Sequence, residues 1–144
     1  MANQFSKYFE LEELLTSSTA RQKSIENLPS WEIVENLKKL AEFLDGIREA
    51  WGSGIRVSSG YRCPKLNEAV GGVATSCHQL GWAADLQPIN GNFEGFKKFI
   101  VEWAKDKLFD QIIIERGKKK EWIHISLFNG KGQQRRRIFK WEVK

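Results

Sequence analysis

The chain of 144 residues is 41% hydrophobic and 28% charged, with six tryptophans and three prolines. This composition is typical of a folded protein with one core and excludes a disordered chain. The sequence also lacks a run of about 20 apolar residues, which excludes a membrane-spanning helix. The net charge of +5 indicates either an anionic partner or simply a basic surface.

Helices dominate the N-terminal part of the predicted structure. Residues 10–17 ("ELEELLTS") favour a short helix, and the polar stretch after them is expected to cross the surface. Apolar side chains recur with a period near 3.6 over residues 31–51 and predict a long helix. Ser30 is placed to cap the start of this helix, and the glycines at 52 and 54 are placed to end it.

The remaining predicted elements are shorter. Residues 55–59 and 83–88 predict strands, whereas the glycines and the proline of residues 60–72 predict mostly loop and turn. A second amphipathic helix is predicted over about residues 92–107, and three strands follow it in "DQIIIER", "EWIHISL" and "RRIFKWEV". This order predicts an α+β fold, a small single domain over residues 1–144 whose N-terminal helices pack on an antiparallel sheet.

The two histidines of the chain lie in the segments "SCHQLGWAADL" (76–86) and "EWIHISL" (121–127). Together, His78, Asp85 and His124 offer two imidazoles and one carboxylate, the set of three protein ligands that catalytic zinc sites use. Strand alternation places His124 on the face opposite to its two isoleucine neighbours. We therefore predict a Zn²⁺ site suited to the hydrolysis of a peptide or amide bond.

A longer segment carries a family resemblance. "SSGYRCPKLNEAVGGVATSCHQLGWAADL" (58–86) resembles the "SGYRS…LN…VGG…S.H..G.A.D" segment of the M15 zinc D-Ala-D-Ala carboxypeptidases, and "FDQIIIE" with "WIHIS" resembles their closing hairpin. The resemblance covers nearly the whole chain and implies the hedgehog/D,D-peptidase fold. It also implies that His78, Asp85 and His124 bind zinc and that Arg62 stabilises the substrate carbonyl or its oxyanion.

The general base has two candidates. Relatives in this resemblance place an acidic residue three positions before the last histidine, which maps onto Glu121. The rival is Glu115: if residues 117–120 form a four-residue hairpin loop, Glu115 pairs with Trp122 and shares the face of His124. In that register Glu121 points to the other face unless the strand bends. The resemblance slightly favours Glu121 and the alternation favours Glu115, so both remain candidates.

Two cysteines and three aromatic residues complete the site region. Cys63 and Cys77 stand where the family pattern more commonly has other residues, and we expect both to be free thiols. Trp82, Trp122 and Phe128 could line a substrate groove, but core packing is the expectation that we favour.

The sequence as a whole predicts a zinc metallopeptidase that cleaves peptidoglycan stem peptides next to D-alanine, as a D,D-carboxypeptidase or an endopeptidase of the endolysin type. The alternative is a non-catalytic module that keeps zinc as a structural clip and binds wall fragments. We expect a peptidoglycan peptide as partner, no nucleic acid, no membrane and a monomeric protein. The N-terminal sequence shows no secretory signal, which predicts a cytoplasmic location, with later release to the cell wall if the protein is phage-encoded.

Overall fold

The long central helix begins and ends where its sequence predicts. In the computed structural model, which describes residues 5–142, this helix is α3 (Trp31–Trp51), and it follows the short helices α1 (Leu11–Leu15) and α2 (Ser18–Gln22). The Ser30 hydroxyl accepts a hydrogen bond from the Ile33 N–H, and Gly52 leaves the helix with a left-handed φ of 74°. The apolar face of α3 is fully buried at Leu37, Leu40, Ala41, Leu44 and Ile47.

A further helix, α4 (Pro64–Ala69), lies in the segment 60–72, where the sequence predicted mostly loop and turn. That prediction was wrong for these six residues. The Cys63 thiol accepts a hydrogen bond from the Leu66 N–H and caps the helix, and Pro64 occupies a first-turn position, where its missing N–H costs nothing. These start signals outweigh the glycines on either side of the segment.

The sheet has five strands in the order β1-β2-β4-β3-β5. Neighbouring strands are antiparallel except β3 and β5, which run parallel. The strands are β1 (Ile55–Ser59), β2 (Ala83–Pro88), β3 (Gln111–Arg116), β4 (Glu121–Ser126) and β5 (Arg137–Glu142). The predicted α+β class is confirmed, with a mixed sheet in place of the antiparallel one that was expected.

The parallel strand β5 follows from where the chain re-enters the sheet. Gln111, at the start of β3, pairs with Ser126 at the end of β4 and with Arg137 at the start of β5. Residues 127–136 therefore cross one end of β3, and Arg135 is held there by two hydrogen bonds to Asp110, at 2.7 and 2.9 Å. A strand that begins at the end where β4 stops must run opposite to β4 and hence parallel to β3.

The central strands bury one face against the helices. Ile123 and Ile125 of β4 are fully buried in the core, so the intervening His124 lies on the other face of the sheet. Helix α5 (Phe93–Trp103), with the 3₁₀ turn after it, occupies the predicted segment 92–107 and packs near β2 and β4. Within residues 5–142, no helix combines the length and apolar character needed to cross a membrane.

Candidate metal centre

Three side chains converge on the face of the sheet opposite the buried Ile123 and Ile125. His78 lies in a 3₁₀ turn (Cys77–Leu80) that leads into β2, Asp85 lies in β2, and His124 lies in β4. The register pairs Asp85 directly with His124, which places their side chains next to each other. One potential ligand atom from each of the three residues lies within 4.8 Å of the others. The structure thus brings together the three ligands predicted from the sequence.

Asp85 Oδ1 is the centre of the cluster. It lies 3.1 Å from Nδ1 of His124 and 3.4 Å from Nε2 of His78. The His78 ring has its Nδ1 at 2.7 Å from the carbonyl oxygen of Gly60, so Nδ1–H is the donor and Nε2 carries a lone pair. That Nε2 is buried and has no hydrogen-bond partner. A cation bound between this lone pair and the Asp85 carboxylate oxygen would satisfy both atoms.

The ionisation states also suit a cation. Burial lowers the pKa of His78, which keeps this imidazole neutral. Burial by itself would raise the pKa of Asp85, but the two neighbouring histidines hold it well below the usual range of an aspartate. A neutral imidazole and an ionised carboxylate are the forms in which these side chains bind metals. The residues present therefore fit a divalent ion with nitrogen and oxygen ligands.

Gly60 links the metal ligands to the N-terminal helices. Its carbonyl oxygen orients His78, and the N–H of Arg62 donates in return to the His78 carbonyl at 3.0 Å. A Cβ at residue 60 would lie 2.3 Å from the carbonyl oxygen of Leu14, so only glycine permits α1 to approach this closely. From the sequence, Gly60 was expected only to lie in a loop or turn, and its contact with α1 was not predicted.

Arg62 lies beside the ligands, as the resemblance implies. Its Nη2 is 3.8 Å from Oδ2 of Asp85, and its side chain is only 14% exposed. Nε donates to the Ser59 hydroxyl and Nη1 donates to the Asn67 side chain, each at 3.2 Å. The site therefore contains a fixed guanidinium that faces the ligand set.

The structure brings one of the two candidate bases to the site. The predicted hairpin register holds without a bulge, so that Glu115 pairs with Trp122 and lies on the face of His124. The Oε1 atom of Glu115 is 3.9 Å from Nδ1 of His124. Burial, and next the Asp85 carboxylate, raise the pKa of Glu115 above its ordinary value.

The other candidate, Glu121, lies on the opposite face of β4. Its carboxylate oxygens are 3.8 Å from Nη2 of Arg116 and 4.0 Å from Nζ of Lys97. Because β4 alternates regularly from residue 121 to residue 126, three positions of separation put Glu121 and His124 on different faces. The resemblance slightly favoured Glu121 as the base, but in this structure its carboxylate does not face the metal-binding side chains.

Two clefts border the ligands, one at His124 and one at Asp85. A cleft of about 540 Å³ is bordered by His124 together with Cys77, Gln111, Gln133 and Arg135. A smaller one of about 250 Å³ is bordered by Asp85 together with Arg62, Ser58, Ser59 and Thr19. The two clefts share no lining residue and touch different members of the ligand set.

The two cysteines and three aromatic residues differ in position: Cys63 caps α4, Cys77 borders the larger cleft, and Trp122 pairs with Glu115 on the face of His124. Cys63 and Cys77 are free thiols, as predicted, and burial raises the pKa of Cys77. Trp82 and Phe128 pack edge to face, with ring centroids 4.7 Å apart, and both contact the core. The expected core packing of these two rings is confirmed.

Residues 7–126 match the profile of the Peptidase M15 family. The chain belongs to the Peptidase M15 family. The matched range contains all three converging side chains, Arg62 and both candidate bases, whereas strand β5 lies beyond it. No curated protein matches the chain significantly. Membership makes the protein a hydrolase of a family that is typically metal-dependent, in agreement with the geometry of the cluster.

Proposed function

We propose that the protein is a zinc metallopeptidase that hydrolyses a peptide bond next to D-alanine in peptidoglycan stem peptides. The observation that carries the proposal is the convergence of His78, Asp85 and His124 around a buried imidazole nitrogen without a partner, in a Peptidase M15 chain. Two imidazoles and one carboxylate are a ligand set typical of catalytic zinc. D-Alanine and peptidoglycan come from the sequence resemblance.

Each residue of the site has a separate role in the proposed hydrolysis. A zinc ion bound there would supply Lewis-acid activation of water and of the substrate carbonyl at neutral pH. His78 Nε2, His124 Nδ1 and Asp85 would hold it. Glu115 accepts the proton of the attacking water and returns it to the leaving amine, and Arg62 stabilises the negative charge that develops on the carbonyl oxygen.

The choice of Glu115 as base rests on position and environment. It is the candidate beside His124, and its raised pKa makes it a better proton acceptor near neutral pH than an ordinary glutamate. Glu121 has two cations near it on the far face of the sheet.

The shape of the site supports an extended peptide as substrate. One cleft borders His124 and the other borders Asp85, which would give residues on both sides of the scissile bond separate places to bind. Arg135 borders the larger cleft, but Asp110 already engages its guanidinium with two hydrogen bonds. Lys131 borders the same cleft, so a cation that can bind a terminal carboxylate is also present.

The alternative of a non-catalytic zinc module has less support. Structural zinc sites are normally closed by four protein ligands, and the cluster found within residues 5–142 supplies three. A purely structural zinc site would not need a half-buried glutamate and a fixed arginine next to its ligands.

Mass spectrometry of peptidoglycan digests tests the proposed function. We expect the protein to release new fragments ending at D-alanine bonds, a chelator to abolish their release, and added Zn²⁺ to restore it. His124→Ala should release no fragments and should no longer bind one zinc per protein. Its zinc affinity should fall by more than the roughly 10- to 100-fold expected when a residue that hydrogen-bonds to a metal ligand is removed. Intact peptidoglycan in the presence of protein with one bound zinc would instead support the binding module.

A further inference from the structure

Helix α4 delivers a buried amide side chain to the edge of the metal centre. Asn67 is 2% exposed. Its Oδ1 accepts a hydrogen bond from Nη1 of Arg62 at 3.2 Å, and its Nδ2 donates to the carbonyl oxygen of Val73 at 2.8 Å. Asn67 therefore ties the Arg62 guanidinium to the loop that leads to His78.

The space around this contact admits only a glycine at residue 72. A Cβ there would lie 2.1 Å from Oδ1 of Asn67 and 2.8 Å from Nη1 of Arg62. The N–H of Gly72 also donates to the Asn67 carbonyl at 2.8 Å, which keeps the two residues together. Residue 72 must lack a side chain for the amide and the guanidinium to meet in this way.

The three guanidinium nitrogens of Arg62 have different neighbours. Nε donates to the hydroxyl of Ser59 and Nη1 to the amide of Asn67, both neutral acceptors, while Nη2 is the nitrogen nearest Asp85. Neutral acceptors hold a guanidinium in one orientation without cancelling its charge. The arrangement suits an arginine that must remain available to a negative charge.

We propose that Asn67 is a positioning residue for Arg62, one that directs the guanidinium toward the bond being hydrolysed and touches no substrate atom itself. The inference rests on the proposed function, in which Arg62 stabilises charge on the carbonyl oxygen. Because such stabilisation depends on donors held in place before the reaction, release of Arg62 lowers the rate and leaves metal and substrate binding unchanged.

A double-mutant cycle tests this inference. Zinc-loaded wild type, Asn67→Ala, Arg62→Ala and the double variant are compared by kcat and KM on a stem peptide containing D-alanine. We expect Asn67→Ala to lower kcat about 10- to 100-fold, with KM and zinc content little changed. In the Arg62→Ala background the same substitution should change kcat less than about threefold, because no guanidinium remains to be positioned. An equal loss in both backgrounds, or no loss in either, overturns the proposal.

A second substitution and a control variant distinguish loss of Arg62 positioning from misfolding. Gly72→Ala leaves the Asn67 and Arg62 side chains intact but forces them apart, so it should show the same loss of kcat and the same dependence on Arg62. Asn36 also donates to a loop carbonyl, that of Leu80 at 2.9 Å. Asn36→Ala should leave kcat within about twofold of wild type, since this exposed contact includes neither Arg62 nor Asn67. A comparable loss of kcat in Asn36→Ala would contradict a specific role for Asn67.

A measurement without substrate separates this inference from the proposed function. In zinc-loaded protein, NMR of the Arg62 guanidinium should show slow rotation of its Nη groups, which becomes fast in Asn67→Ala but not in Asn36→Ala. If the wild type hydrolyses no peptide and this difference is still seen, the proposed function fails while the structural link survives. If rotation is equally fast in wild type and Asn67→Ala, the link itself is refuted.

Discussion

On one face of the β3–β4 hairpin a glutamate lies beside a histidine, and on the other face a glutamate lies between two cations. Glu115 is 3.9 Å from His124 and its pKa is raised by burial, whereas Glu121 is about 4 Å from Arg116 and from Lys97. Glu121 is the closer of the two to His124 along the chain, and Glu115 is the closer in space. Strand alternation, rather than sequence spacing, thus determines which carboxylate lies on the face of the metal-binding side chains.

Removing the carboxylate beside His124 tests whether Glu115 is the base and should have the largest effect. Glu115→Gln should lower kcat by about 10²- to 10⁴-fold, because the amide cannot accept the proton of the attacking water. Zinc content and melting temperature should stay near the wild-type values, since glutamine has almost the same shape. Steady-state kinetics together with metal analysis measures both quantities. A Glu115→Gln enzyme that retains full kcat would remove Glu115 from the mechanism.

A third carboxylate, that of Asp110 immediately before β3, differs from both glutamates because it is buried and hydrogen-bonded by Arg135. Burial would raise the pKa of Asp110, but the hydrogen bonds from Arg135 outweigh burial and hold that pKa below its ordinary value. Asp110 therefore contributes stability above the unfolded-state pKa, and this contribution is lost as the pH falls through the folded-state pKa. We expect Asp110→Asn to cost about 1–3 kcal/mol of unfolding free energy at pH 7.

Urea unfolding of wild type and Asp110→Asn, carried out between neutral and acidic pH, checks this prediction. The two stabilities should converge as the pH falls, because the wild type then loses the ionised form of Asp110. A constant difference between them at all pH values would show that Asp110 acts through packing rather than charge. Peptidase activity of the folded variant should remain, since Asp110 is not among the ligands or the candidate bases.

The smallest effect is expected on the cation-paired face of the hairpin. Glu121→Gln should change the free energy of unfolding by less than about 1 kcal/mol, because its two ion pairs are partly exposed and longer than hydrogen bonds. Its kcat should equal that of the wild type in the same assay that is used for Glu115→Gln. A loss of kcat in Glu121→Gln as large as that in Glu115→Gln would mean that β4 bends during catalysis and that Glu121 is the base.

Local patterns predicted most of the fold. The start and end of α3, the two short strands β1 and β2, and the four-residue hairpin loop agree with the sequence because caps, periodicity and turn residues act over a few positions. Helix α4 was missed because its signals, a cysteine cap and a proline, lie between glycines that predict turns. Asn67 on that helix was missed with it: the "LN" of the quoted segment was visible, but its contact with Arg62 was not.

From the sequence alone we could place two histidines and an aspartate in a loop and two strands, with side chains of the kinds that bind metals. Only the tertiary structure showed that β5 lies parallel to β3 and that Asn67 reaches Arg62. Strand alternation already favoured Glu115 as the neighbour of His124, and the observed register agrees with it over the Glu121 that the resemblance favoured. The physical reason is distance along the chain. Caps and strand periods act between near neighbours, whereas strand order and side-chain contacts are set by packing between segments that the sequence keeps far apart.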